Sequence, residues 1–101
     1  MEPPAGAWRR AADEREPLAA LAAARELKDE LARWEAHLAR KALAEGETWE
    51  TIGAALGISR QAAWERLRRG IAAEIEADKE RVRAQRERLV EKRKGGTRGR
   101  R

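Results

Sequence analysis

The sequence contains no cysteine, tyrosine or phenylalanine, and His37 is its single histidine. Without cysteine the chain can form neither a disulfide nor a thiolate nucleophile, and it lacks the usual ligands of a structural zinc site. The sequence offers no second histidine or cysteine that could act with His37 in acid–base catalysis or metal binding, so we assign it no functional role. We therefore expect that the protein is not an enzyme and that it binds no metal, cofactor or small-molecule ligand.

Long apolar runs are also missing. No stretch approaches the ~18 consecutive apolar residues of a membrane helix, and the first residues, MEPPAGAWRR, lack the apolar run of a signal peptide. We expect a cytoplasmic protein with no membrane partner. Because 41% of its 101 residues are charged and 4% are aromatic, the chain can bury only a modest core, and oligomerisation is a natural way to bury more.

Charge is distributed unevenly along the chain. Residues 1–58 carry 8 Lys+Arg and 11 Asp+Glu, a net charge of −3, whereas residues 59–101 carry 15 and 7, a net charge of +8. This basic half begins at Ser59. The asymmetry indicates a polyanionic partner for the C-terminal half. A membrane surface is a poorer match, because the basic segments lack a broad face of Trp, Phe and Leu.

The N-terminal half predicts a tail followed by one long helix. Residues 1–12 contain Pro3, Pro4 and Gly6 without sustained periodicity, which predicts a disordered tail. A helical domain then extends over residues 13–92. Its first helix should begin around Pro17, which suits a first turn, and end near Gly46, which can adopt a left-handed cap. Such a helix of about 28 residues would span ~42 Å.

The predicted long helix carries one apolar stripe in alternating steps of three and four, formed by Ala24, Leu27, Leu31, Trp34 and Leu38. Its C-terminal part, around Leu38, Ala42 and Leu43, should pack on the segment that follows. The earlier part needs another partner, which is either the C-terminal helix of the same chain or a second subunit.

The C-terminal region predicts a second long helix, from about Ile71 to Lys92, since alanine and charged helix formers dominate it. Gly70 marks either the end of the preceding helix or a bend in one continuous helix. Asp78 and Gln85 interrupt the apolar heptad, so the coiled-coil pattern is weak. Residues 93–101 predict a disordered basic tail, which either contacts phosphates or only adds solubility.

Residues 48–69, TWETIGAALGISRQAAWERLRR, contain signals for two short helices joined by a tight turn. Thr48 and Ser59 are the expected helix N-caps. Gly53 provides a small residue where the helices cross, and Gly57 lies in the turn. Five apolar residues should converge on one shared core: Ile52, Leu56, Ile58, Ala63 and Leu67.

This segment resembles the helix-turn-helix shared by bacterial repressors, the promoter-reading C-terminal region of sigma factors and resolvase DNA-binding domains. The resemblance covers about a fifth of the chain and implies that the second helix enters the major groove of double-stranded DNA. By the family pattern, the residues that face DNA are Ser59, Arg60, Gln61, Trp64, Glu65 and Arg68.

Side-chain chemistry agrees with the resemblance, because arginine can pair with guanine and glutamine with adenine. Arg60 and Gln61 are the leading base readers, and Arg66 and Arg69 suit phosphate contacts. These assignments have structural alternatives. Arg60 and Arg68 either contact DNA or are simply solvated charges. Ser59 either caps only or also contacts phosphate. Trp64 either packs at the core edge or contacts a base or sugar, and Glu65 either reads cytosine or pairs with a neighbouring arginine.

These patterns together predict an all-α protein in which a helix-turn-helix lies between two long helices with disordered termini. The main functional hypothesis is a nucleoid-associated, dimeric transcriptional regulator that binds specific DNA sequences and pairs through its long helices. Two alternatives stay open. The first is a DNA-packaging or plasmid and phage maintenance module with higher oligomers. The second is a helical adaptor that binds another protein.

Overall fold

A computed structural model describes residues 1–98 of the chain, with side chains to residue 93. The described residues form four α-helices and no strand: α1 (Ala5–Ala11), α2 (Pro17–Ala44), α3 (Trp49–Leu56) and α4 (Arg60–Arg98). The predicted all-α class is therefore confirmed. The chain divides after Ile71 into two compact units. The first unit holds α1, α2, α3 and the beginning of α4.

Helix α1 corrects the expectation of a disordered N-terminal tail over residues 1–12. Ala5–Ala11 is helical, and the side chain of Ala7 is only 3% exposed. Arg10 donates a 3.0 Å hydrogen bond to Glu26 of α2. The prediction was wrong because a helix of 7 residues is too short to show a period, and packing against another helix rather than propensity stabilises it.

Both ends of α2 follow the local signals in the sequence. Pro17 occupies the first turn, where its missing amide hydrogen costs no helical hydrogen bond. At the other end Gly46 has φ +95°, and the amide of Glu47 donates to the carbonyl of Ala42 over 3.0 Å. This arrangement is a Schellman motif, which satisfies the last carbonyls of α2.

Between α1 and α2, Arg15 donates to Asp13 and lowers the pKa of that carboxyl group.

The core of the first unit is small and brings together residues of α2, α3 and the beginning of α4. Its buried members are Ala39 from α2, Ile52 from α3, and Ala63 and Leu67 from α4. Partly buried apolar residues surround them: Ala42, Leu43, Trp49, Leu56, Ile58 and Ile71. The predicted convergence of apolar residues from α3, the connection and the beginning of α4 is thus present. Leu38 differs from the prediction, because it is 46% exposed and lies outside this cluster.

Gly70 lies inside one continuous helix, since α4 runs from Arg60 to Arg98. Of the two readings of this glycine, an end of the helix is therefore excluded. A Cβ atom built on Gly70 would lie 2.7 Å from the Cβ of Ala36, which is itself 2% exposed. Real Cβ atoms do not approach so closely, so Gly70 allows α4 to pass next to α2.

The second unit, which starts at Ala72, consists of the remaining length of α4. Its apolar side chains are widely exposed, for example Val82 at 47% and Leu89 at 61%. Oppositely charged residues one helical turn apart form ion pairs on its surface, including Lys79 with Glu76 and Arg83 with Glu80. Residues 93–98 continue the helix beyond the predicted end at Lys92, and the rest of the predicted basic tail lies outside the described residues.

None of the helices that the structure describes is both long and apolar enough to cross a membrane.

The contact at Gly70 yields a prediction about stability. Glycine to alanine inside a helix normally stabilises by about 1 kcal/mol. At Gly70 the new methyl group would overlap Ala36, so we expect Gly70→Ala to lower the free energy of unfolding by about 1–3 kcal/mol. Chemical denaturation followed by circular dichroism measures the change.

Gly6→Ala provides the matched control, because a Cβ at Gly6 would meet only a guanidinium nitrogen of Arg10 at 3.7 Å. This variant should keep or raise the stability. A Gly70→Ala protein as stable as Gly6→Ala would show that α2 and α4 do not approach closely at this point.

Candidate nucleic-acid interface

The start of α3 is held by a reciprocal capping box between two threonines. The amide of Thr51 donates to the Thr48 hydroxyl over 3.2 Å, and the amide of Thr48 donates to the Thr51 hydroxyl over 3.1 Å. These two bonds satisfy amides that would otherwise have no partner at the helix start. The N-cap predicted at Thr48 is therefore confirmed, and its partner is Thr51.

The connection from α3 to α4 consists of Gly57, Ile58 and Ser59. Gly57 has φ +71°, a left-handed conformation that only glycine adopts readily. The amide of Ile58 then donates to the carbonyl of Gly53 over 2.9 Å. A Cβ on Gly53 would lie 2.8 Å from the Ile58 carbonyl oxygen. Gly57 thus lies in the turn, as the sequence predicted, and Gly53 lies against the backbone of the connection.

Ser59 caps the beginning of α4. Its hydroxyl oxygen accepts from the amide of Ala62 over 3.1 Å, and its carbonyl accepts from the amide of Ala63 over 2.9 Å. The capping role predicted for Ser59 is confirmed. The start of α4 is therefore set by a local signal, and this fixes which residues of the helix turn inward.

One side of the first turns of α4 is buried and the other faces solvent. Ala63 is 0% exposed and Leu67 is 3% exposed, so these two residues define the inner side. The eight residues predicted to contact DNA are all exposed: Ser59, Arg60, Gln61, Trp64, Glu65, Arg66, Arg68 and Arg69. We refer to these eight residues as the α4 strip.

Two pairs of side chains are ordered against each other on the α4 strip. The side-chain nitrogen Nε2 of Gln61 donates to the carboxylate oxygen Oε1 of Glu65 over 3.0 Å. The guanidinium carbon of Arg68 lies 4.9 Å from the centroid of the Trp64 ring, in a cation–π contact. Trp64 is 42% exposed and is absent from the core cluster. Glu65 therefore pairs with Gln61 rather than with the arginines considered from the sequence.

The arginines of the α4 strip differ in their partners. Arg66 donates to Glu35 of α2 over 3.0 Å. Arg60 and Arg69 are exposed and form no ion pair with the side chains described, those of residues 1–93. Their charges are hence available to a partner, whereas the charge of Arg66 is partly engaged. Sequence reasoning missed Glu35, because a contact between residues 31 positions apart leaves no local signal.

Elsewhere in the first unit, His37 stacks on the Trp34 ring with centroids 5.2 Å apart. Within the described part of the chain, no group of three His, Asp or Glu side chains is arranged to hold a metal ion. The chemistry that the α4 strip offers is therefore hydrogen bonding, positive charge and one exposed aromatic ring.

Comparisons of the chain with protein-family models, with curated proteins and with solved structures gave no match.

The cap at Ser59 yields a second prediction. Ser59→Ala removes the hydroxyl acceptor of the Ala62 amide and should lower the free energy of unfolding by about 1 kcal/mol. Ser59→Asp retains an acceptor at the same position and should stay close to the wild-type stability. Thermal denaturation of the two variants beside the wild type measures both effects. Equal loss of stability in the two variants would contradict the capping role.

Proposed function

We propose that the protein binds double-stranded DNA at specific sequences and acts as a dimeric transcriptional regulator. In this proposal α3, the turn and the beginning of α4 form a helix-turn-helix, and α4 lies in the major groove. The observation that carries the proposal is the α4 strip itself. It is a continuous exposed surface at the start of a capped helix, and all of its members are polar, charged or aromatic.

The charge of the α4 strip supports an anionic partner. It contains four arginines and one glutamate, and the carboxylate of Glu65 already accepts a hydrogen bond from Gln61. Arg60 and Arg69 have no competing ion pair among the described residues. Phosphate contacts by such arginines would provide affinity and orient the helix, while other members of the strip reach the bases.

The two ordered pairs suit base reading, because each leaves a free edge. When the Gln61 nitrogen donates to Glu65, the Gln61 carbonyl and the second Glu65 oxygen remain as acceptors. Acceptors at the base edge favour the amino groups of cytosine or adenine. The stacking of Arg68 on Trp64 leaves the edge of the guanidinium open for guanine. Arg60 and Gln61, nearest the helix start, are the principal readers in this proposal.

The proposed protein is a dimer, because the α4 strip of one subunit is too small to specify a DNA site alone. A single helix contacts only a few base pairs, and regulators of this type gain specificity by placing two helices in successive major grooves ~34 Å apart. A palindromic DNA site would then match the twofold symmetry of the protein. Arg66 contributes less than Arg69 in this arrangement, because Glu35 competes for its charge.

Selection from a pool of random duplexes tests the proposal. The wild-type protein should enrich a short sequence that occurs twice in inverted orientation. Arg60→Ala combined with Gln61→Ala should lose this preference, whereas Arg69→Ala should weaken binding by about the same factor for all sequences. Affinity should fall steeply as salt increases, since phosphate contacts release counterions.

Arg25→Ala is the matched control for charge, because Arg25 is exposed on α2 and lies outside the α4 strip. It removes one positive charge and should leave the selected sequence unchanged. Absence of duplex binding at low salt would overturn the proposal. The same conclusion would follow if the Arg60→Ala/Gln61→Ala protein kept the full sequence preference.

A further inference from the structure

Helix α2 carries an apolar face that α1 and the core leave uncovered. We call it the α2 stripe, and it consists of the five residues Ala24, Leu27, Leu31, Trp34 and Leu38. Leu31 is 41% exposed and Leu38 is 46% exposed, and the other three members are only partly buried. Large apolar side chains in one continuous row are unusual on the surface of a monomer and mark an interaction surface.

The remaining faces of α2 are already occupied within the first unit. In its C-terminal half, Ala36 and Ala39 are buried next to α4 and the core; Ala36 lies on the side of the helix opposite Leu38, and Ala39 lies about 100° around the helix from it. In its N-terminal half, Ala23 is buried and Glu26 pairs with Arg10 of α1. The α2 stripe is thus an extended apolar face of this helix that the described side chains leave partly uncovered.

We propose that the α2 stripe binds the α2 stripe of a second copy of the chain, with the two helices antiparallel. This names the surface that forms the dimer of the proposed function, but the pairing itself does not require DNA. The stripe follows a heptad in which Ala24, Leu31 and Leu38 take position a and Leu27 and Trp34 take position d.

Charged residues beside the α2 stripe select the antiparallel direction. The heptad places Lys28 and Glu35 at position e, and Glu30 and His37 at position g. A parallel pair brings g next to e of the other helix, so that Glu30 would face Glu35 of the second copy along both edges. An antiparallel pair brings e next to e, so that Lys28 lies beside Glu35 of the second copy, which also accepts from Arg66 of its own chain over 3.0 Å. The antiparallel dimer therefore places a lysine, rather than the second carboxylate Glu30, beside each Glu35.

A second α2 is also a better occupant than the C-terminal part of α4. In the C-terminal part of α4 the apolar heptad is interrupted by Asp78 and Gln85. The α2 stripe, in contrast, has no polar member from Ala24 to Leu38. In the antiparallel register Leu27 faces Leu38 of the second copy and Leu31 faces Trp34. This pairing overlaps about 24 residues of each helix, or ~36 Å, and covers the whole stripe.

Sedimentation equilibrium of the full chain without DNA tests the pairing. The wild type should be a dimer, and Leu31→Lys combined with Leu38→Lys should raise the dimer dissociation constant by about a hundredfold or more. Leu18→Lys is the matched control, because Leu18 is 81% exposed on α2 but lies off the stripe. It should leave the dissociation constant unchanged. A monomeric wild type, or a double variant that dimerises as well as Leu18→Lys, would overturn the proposal.

Disulfide trapping tests the direction separately and does not depend on the lysine variants. The chain has no cysteine of its own, so single cysteines can be placed freely. Leu27→Cys and Leu38→Cys proteins should crosslink when mixed, and neither should crosslink with itself, because like positions would be about 16 Å apart along the axis. A parallel dimer would give the opposite pattern, self-crosslinking without crosslinking in the mixture, and that result would overturn the proposal.

These outcomes are independent of the DNA-binding proposal. If the dimer forms as described but no duplex is bound, the proposed function fails while the inference about the α2 stripe stands. If duplex binding depends on Arg60 and Gln61 but the protein is a monomer without DNA, the pairing of the stripe fails while the reading surface stands.

Discussion

Close approach of helices at small residues is the constraint on which the first unit depends. Ala63 is completely buried, Gly53 has no room for a Cβ atom, and Gly70 faces Ala36 across a gap that admits no further methyl group. Among the described residues no large side chain is fully buried. Because the core contains little apolar volume, stability relies on short distances between helices, where each atom contributes dispersion contacts on several sides.

The same close packing positions the candidate site. The backbone contact at Gly53 allows a connection of only three residues between α3 and α4. Ser59, the last residue of this connection, caps α4. With Ala63 and Leu67 turned inward, Gln61, Glu65 and Arg68 turn outward, and Arg60 is exposed at the first position of the helix. A chain rich in charge can thus present a polar surface on a rigid helix, although its core is thin.

Local signals were predictable from the sequence, and contacts between distant segments were not. Gly46, Thr48 and Ser59 act through their own backbone or hydroxyl groups, so their roles could be identified from neighbouring residues. The helix at Ala5–Ala11 and the role of Gly70 depend on where α2 lies, which no window of sequence reveals. For the candidate site, the exposed positions on α4 were predictable from helical periodicity, whereas the partners of their side chains required the structure.

We propose that the α4 strip is the surface that reads DNA, and a nuclear magnetic resonance titration can locate the residues that contact a duplex. Backbone amide signals of the full chain are followed while a duplex obtained by selection is added. We expect the largest shifts on residues 59–69, with Arg60 and Gln61 among them. Shifts confined to α2, or no shifts at a duplex concentration equal to that of the protein, would contradict the proposal.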